Sequence, residues 1–328
     1  TITRPQGIPG QTRTIEHSLL TLTPGKRATS AELAFTLRSS QGQQHTVTLP
    51  PGAELESVSI DATALPIRQD GNSVTLPLRP GSQNVIIKWK ETHGIGWRFA
   101  SPGVDLGIAS VNTRVVIIPG HDRWVLLAGG IHQGPAVLFW GVLIVVVLIA
   151  IALGRIKGTP LKTHSWILLG IGLSTVTPFI ALLIAFWIFM LYGRSQVTTL
   201  NNRLQFNLMQ CLLVALTVVA VSALFGAVSN GLLGNPDMQI AGNGSTHLQL
   251  NWYQDRIDST IPQAWIVSVP VLAYRILMLA WSMWMAFALI NWLKWGWECF
   301  SQGGIWMPSR KAMAKQTVAA DDLSLIHI

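Results

Sequence analysis

Only two cysteines occur in 328 residues, Cys211 and Cys299, and both lie in or beside long apolar runs. Their separation rules out a CxxC redox or zinc motif, so both read as small apolar fillers; with none before residue 211, disulfides cannot stabilise the N-terminal part. Charge is scarce as well: 12% of residues are Asp, Glu, Lys or Arg against 49% apolar, and mean hydropathy is +0.41. That composition is too apolar for a chain soluble throughout and points to a membrane protein. No GxSxG, HExxH, Walker or GxGxxG pattern occurs, and no paired carboxylates stand at helical spacing beside the apolar runs. Nothing in the sequence therefore argues for an enzyme, a cofactor or a metal. The net charge of +8 contains no Lys/Arg-rich block and no basic strand interleaved with aromatics, which argues against nucleic acid as a partner.

What charge there is falls unevenly. Residues 1–133 carry 12 Lys/Arg and 9 Asp/Glu, whereas residues 134–328 carry 11 and 6, mostly between long uncharged stretches. The first part reads as a folded domain outside the membrane, the second as membrane-embedded. The chain begins Thr1-Ile2-Thr3, without an initiator Met or a signal sequence, and so reads as a fragment of a longer protein, with residues 1–13 as a linker from an upstream domain. Residues 301–322 read as a basic tail. Residues 323–328 read as a sequencing or cloning scar, because those six residues can be encoded by a transposon end used in library preparation.

Between residues 14 and 133, short runs alternate with period 2: Leu33, Phe35, Leu37; Val74, Leu76, Leu78; Val85, Ile87, Trp89; Val115, Ile117. Alternation of this kind predicts half-buried strands. Turn signals such as Pro24-Gly25, Asp70-Gly71 and Pro119-Gly120 separate them at the spacing of an all-β antiparallel sandwich. Pro77 places its strand at an edge or bulge, since proline cannot donate to a ladder. Trp89 shares a face with Val85 and Ile87 and reads as core.

Residues 134–300 contain four apolar stretches, 136–153, 165–193, 204–234 and 276–293, which predict a helical bundle of about four membrane segments. The second is too long for one straight pass and holds Ser174-Thr175-Val176-Thr177-Pro178, so it reads as a kinked or re-entrant segment. Loop charge favours re-entry. If both ends of 165–193 stay on one side, the cytoplasm receives Arg155, Lys157, Lys162, Arg194, Arg203, Lys294, Arg310, Lys311 and Lys315, leaving Arg256 outside. This arrangement puts the β domain in the periplasm and the C-terminus in the cytoplasm of a bacterial inner membrane; four simple spans with a cytoplasmic β domain are the alternative. Within the extracytoplasmic loop 235–264, a Gly242-Asn243-Gly244 turn signal between apolar runs predicts a small β-hairpin.

The candidate site residues fall into three groups. Trp97, His121, Asp122, Arg123 and Trp124 are the part of the β domain that resembles a ligand site, with Trp97 and Trp124 as a sugar-stacking pair. Adjacent His and Asp point to opposite strand faces, so His121 and Asp122 make a poor acid/base pair unless a turn holds them. Tyr274 and Arg275, with Trp292, Trp295 and Trp297, read as interfacial anchors where rings and long cations reach headgroups; a pore or substrate role for Arg275 is the sharper alternative. Ser222, Gly226 and Asn230, four residues apart, read as a helix-packing face for another helix or a second subunit.

From Trp97 through the first span to Trp297, the layout resembles polytopic inner-membrane proteins of Gram-negative bacteria that carry a periplasmic β-sandwich. The resemblance implies the fold and the compartment and carries over no activity and no functional residue. The expectation is a non-enzymatic envelope protein, anchored in the lipid bilayer, whose β domain binds an envelope protein or glycan. Two alternatives are a membrane subunit of an exporter and the anchor of an upstream catalytic domain.

Overall fold

The computed structural model describes residues 12–156, 158–174, 178–196, 203–302 and 304–306. Most of the predicted linker, the tail from residue 307, the predicted scar, Lys157 and the 175–177 stretch lie outside the described residues. Eleven strands come first: β1 (Arg13–Pro24), β2 (Thr29–Ser39), β3 (Gln43–Thr48), β4 (Ala53–Ile60), β5 (Thr63–Leu65), β6 (Ser73–Leu78), β7 (Gly81–Glu91), β8 (Arg98–Ala100), β9 (Ser110–Ile117), β10 (Arg123–Gly129) and β11 (Ala136–Val137). Four helices follow, α1 (Phe139–Leu153), α2 (Thr163–Ser174), α3 (Pro178–Gln196) and α4 (Arg203–Leu233). The chain then returns to strands, β12 (Ile240–Ala241), β13 (Leu250–Ile257) and β14 (Trp265–Pro270), and runs into α5 (Val271–Ser301).

Two compact units result. One comprises Thr1–Trp140 with Asp237–Tyr274, the other Gly141–Pro236 with Arg275–Ile328. In the first unit a seven-stranded sheet has the order β13-β9-β1-β2-β7-β4-β5. Its alternating strands turn Leu20, Leu33, Leu37, Ile87, Trp89, Val115 and Trp252 inward, where they share one core with Val47, Val74 and Leu76 of β3-β6 and Phe99 and Ile266 of β10-β14-β8. Pro77 lies opposite Gln44 in β6, which pairs with β3 in a two-stranded sheet, so its missing N–H interrupts no central ladder.

Two expectations need correction. The sheet is mixed, not purely antiparallel, because β1 and β9 run parallel from Ile15↔Ser110 to Leu22↔Ile117. Alternation tells which side of a strand is buried but not the direction in which a distant strand arrives; here the path through β3 to β8 brings β9 back in the direction of β1. Nor do the strands predicted for the 235–264 loop pair with each other: β12 pairs with β11, and β13 pairs with β9 along the sheet edge. Unpaired backbone groups on β9 give β13 a longer ladder than a two-stranded hairpin would.

The second unit is apolar and helical. Among the described residues three helices are long and apolar enough to cross a membrane: Phe179–Gln196, Leu204–Leu233 and Val271–Ser301. At 1.5 Å per residue α1 and α2 reach only about 22 and about 18 Å, short of a ~30 Å hydrocarbon core. The long second apolar stretch is thus two helices. Pro178 opens α3 at the position where a missing N–H costs nothing, and Ser174 Oγ donates back to the Ile171 carbonyl at 2.8 Å. The pair folds into a helical hairpin in which Trp166 of α2 stacks on Phe189 of α3, with ring centroids 6.0 Å apart and planes at 13°. Gly158, before α2, leaves room for the Tyr192 ring near the end of α3. Arg194 Nη2 donates to the Gln302 carbonyl at 2.7 Å, and Gln210 Nε2 to that of Phe300 at 3.2 Å. Residue 158, the C-terminal turn of α3, the first turns of α4 and the end of α5 therefore gather at one end of this unit.

Candidate functional site

Period-2 alternation also fixes what the seven-stranded sheet shows to the outside. Tyr253 of β13 stands opposite Arg114 of β9, Arg114 opposite Leu19 of β1, Leu19 opposite Ala34 of β2, and Ala34 opposite Ile86 of β7. These residues form one row across five strands, about 19 Å long at ~4.8 Å per strand. Beside the apolar middle of that row runs a polar one, His17–Thr36–Asn84, in which Thr36 Oγ1 donates to Asn84 Oδ1 at 2.9 Å. Thr21–Glu32–Lys88 borders the other side, with Lys88 Nζ 3.1 Å from Glu32 Oε2. The result is an open groove of about 500 Å³ with an apolar floor and a polar margin.

One end of the groove is built more firmly than the rest. The Tyr253 hydroxyl donates to Asn112 Oδ1 at 2.8 Å, and the Arg114 guanidinium lies over the Tyr253 ring, 5.8 Å from its centroid. Asn112 adopts φ 52°, a left-handed conformation that asparagine tolerates better than most residues, and its Nδ2 donates to the Glu16 carbonyl. Sequence reading missed this site because its residues come from five strands far apart in the chain, from His17 of β1 to Tyr253 of β13. The signal that could have found it was the polar phase of each alternating strand, which carries His17, Thr36, Asn84 and Arg114.

The predicted site residues in this unit separate. His121 and Asp122 occupy the turn after Pro119-Gly120 and are exposed. Arg123 reaches the Gly96 carbonyl and the Ser268 carbonyl and hydroxyl, the latter two at 2.9 and 3.0 Å, so it fastens the loop before β8 to β14. Burial lowers its pKa from the ordinary arginine value, while the Asp122 carboxylate acts in the opposite direction. Trp97 is 72% exposed, whereas Trp124 packs edge-to-face on Tyr274 with ring centroids 5.3 Å apart. Ser268, fully buried and absent from the sequence reading, is the residue that joins Trp97 to Arg123.

Tyr274 is buried, and Arg275 next to it on α5 is exposed. Trp292 is also buried and meets Trp284 edge-to-face at 6.3 Å, while Trp295 is half-buried and Trp297 is exposed and stacks on Phe300. Trp281 packs inside the unit instead, donating to the Leu168 carbonyl at 2.9 Å. On α4, Ser222 and Asn230 are exposed, and a Cβ on Gly226 would meet nothing within 4 Å. The face of α4 buried within the chain carries Gln210, Leu213, Ala220, Leu224 and Ala227, with Thr217 accepting from Trp187 Nε1 at 3.0 Å. Arg194, not singled out from the sequence, is only 1% exposed, stacks on Phe206 at 4.7 Å and caps the carbonyl end of α5. Among the described residues no group of His, Cys, Asp and Glu is placed to hold a metal ion.

No family model and no curated protein matches the chain. Among solved structures, an M1 zinc metallopeptidase from Deinococcus radiodurans is similar over 37% of this chain and 34% of its own, at 14% identity and a TM-score of 0.28. A two-domain M1 zinc metallopeptidase mutant bound to L-tryptophan gives the same identity and TM-score over 38% and 37%. This chain thus spans about a third of the length of those peptidases. A likeness so slight assigns neither activity nor site to it.

Proposed function

We propose that this chain is a non-enzymatic, membrane-anchored binding protein of the bacterial envelope, and that the groove on its seven-stranded sheet holds a linear polymer. The in-register row from Tyr253 to Ile86 carries the reading. A narrow apolar floor between polar margins suits a chain of sugar rings, whose flat faces are apolar and whose edges are hydroxyls. Arg114 and His17 at one side add donors that suit a carboxylate, so an acidic glycan is the favoured occupant. In this reading the helices anchor the chain in the inner membrane, with the β unit in the periplasm and the C-terminus in the cytoplasm. Loop charge supports that orientation, and so does the gathering of residue 158, Arg194 and the end of α5 at one end of the helical unit.

Two grooves of the helical unit favour an anchor over an exporter subunit. They measure about 210 and about 230 Å³ and are lined by apolar side chains such as Trp187, Leu191, Val218 and Phe300 in one and Val146, Ile149 and Leu169 in the other. The hydroxyl of Thr217 in the first already donates to Leu213. Titration of the full chain in lipid nanodiscs with a carboxylate-bearing linear oligosaccharide and with a neutral one tests the proposal. Saturable binding of the acidic oligomer is expected, weakened by salt and roughly tenfold or more by Arg114→Ala, equivalent to about 1.4 kcal/mol. Wild-type and Arg114→Ala proteins that bind alike, or neither oligomer binding, would overturn it.

A further inference from the structure

We infer that the outer face of the three-stranded sheet β10-β14-β8 is a phospholipid-binding surface that rests on the headgroup layer. The inference depends on the reading that α1 and α5 enter a bilayer. Both helices start beside β10: Trp140 Nε1, in the first turn of α1, donates to the Leu126 carbonyl at 2.8 Å, and the backbone N–H of Val271, the first residue of α5, donates at 2.9 Å to the carbonyl of Asp122, the residue before β10. The two anchoring carbonyls are four residues apart, about 13 Å of extended chain. Chain connectivity alone thus keeps this sheet beside the points where the helices leave the β unit.

The composition of that face matches its place. Its outward row contains Leu127 of β10 opposite Val267 of β14, itself opposite Arg98 of β8. Trp265 extends over Gly129, where a Cβ would strike its ring, and the Arg98 guanidinium lies 5.6 Å from its centroid. Leu127 in that row is 45% exposed, and outside the strands Trp97 is 72%, Leu138 50% and Trp140 39% exposed. Within the strands, Leu127 of β10 at 45% compares with Leu19 and Val111 of the seven-stranded sheet, each at 37%. Tryptophan and leucine beside arginine is the composition expected where rings meet acyl chains and guanidinium meets phosphate. The Ser268 N–H donates to the Trp97 carbonyl at 2.9 Å and Arg123 holds the Gly96 carbonyl, so the loop that presents Trp97 is tied to Ser268, three residues before α5.

An environment-sensitive fluorophore on single cysteines in the full chain, with Cys211 and Cys299 replaced, tests this in phosphatidylglycerol-containing vesicles. Positions 97 and 127 on the sheet are compared with Asn84→Cys in the groove and Val218→Cys in the middle of α4. Quenching by headgroup-level nitroxide lipid is expected at 97 and 127, about twofold or more above that at Asn84→Cys, while Val218→Cys is quenched by deep nitroxide. If 97 and 127 stay as unquenched as Asn84→Cys while Val218→Cys is quenched, the surface proposal is wrong and the bilayer reading stands. If Val218→Cys is not quenched either, the bilayer reading itself fails and takes this inference with it. Because Trp97 and Leu127 are both exposed, two independent labels guard against a local folding defect at one of them.

Discussion

Tyr253 and Asn112, 141 residues apart, meet through a 2.8 Å hydrogen bond that closes one end of the sheet groove. The bond connects the strand that follows the helical hairpin to a strand that precedes every helix. Tyr253→Phe removes the donor and leaves Asn112 Oδ1 to solvent, so a small loss of stability is expected. Thermal unfolding of the full chain in nanodiscs measures it, and no change in midpoint would mean that the bond contributes nothing.

Folding of the β unit should require both of its parts. Residues 14–127 alone leave the β9 edge unpaired and remove β14 from beside β10, exposing the core contacts of Trp252 and Ile266, both fully buried. A polypeptide of residues 12–137 joined by a short linker to 238–270 should be soluble, with a cooperative, β-rich transition by circular dichroism. The shorter piece should aggregate or melt without cooperativity. Equal behaviour of the two would show that β13 and β14 are dispensable.

His45 gives the β unit an acid-sensitive point. It is 1% exposed; burial first, and the neighbouring Arg13 guanidinium second, lower its pKa from 6.5 to about 4. Because the unfolded chain takes up this proton at a higher pH than the folded one, stability falls as pH drops from 6.5 through about 4 and does so no further below. The effect is on the order of 2 kcal/mol. Denaturant unfolding of wild type and His45→Gln between pH 7 and pH 4 should show a slope in the first that is shallower in the second.

Arg194 should matter to the helical unit more than Arg275 does. Arg194→Leu leaves the Gln302 carbonyl without its charged donor and is expected to cost roughly 2 kcal/mol or more. Arg275→Leu, at an exposed position, should change stability little. Melting in detergent compares them, and a larger loss at Arg275 would reverse the assignment.

Orientation is open to cysteine labelling in intact cells, again without Cys211 and Cys299. Reagent applied from outside should modify Asn243→Cys and Asn72→Cys but not Gln196→Cys. Modification at position 196 from outside would refute the common-side hairpin.

The sequence by itself determined the division into a β-rich part and an apolar helical part. Each rests on a local quantity: period-2 alternation sorts Leu33, Phe35 and Leu37 inward whatever their partners, and an uncharged run of sufficient length is apolar whatever it packs on. The placing of Trp89 in the core followed from the same local rules. What only the tertiary structure decided concerns relations between distant segments. Alternation is blind to strand direction, so the parallel pairing of β1 with β9 could not be read, nor could the capture of β13 by the sheet edge. Spacing on α4 suggested Ser222, Gly226 and Asn230 as a seam, yet the adjacent face with Leu213, Ala220 and Ala227 is the one buried within the chain. Arg194 looked like one loop charge among several, and only the arrival of α5 beside it made it a buried cap. The groove depended most on the third dimension: Tyr253, Arg114, Leu19, Ala34 and Ile86 become one row only when ladder register aligns five strands from across the sequence.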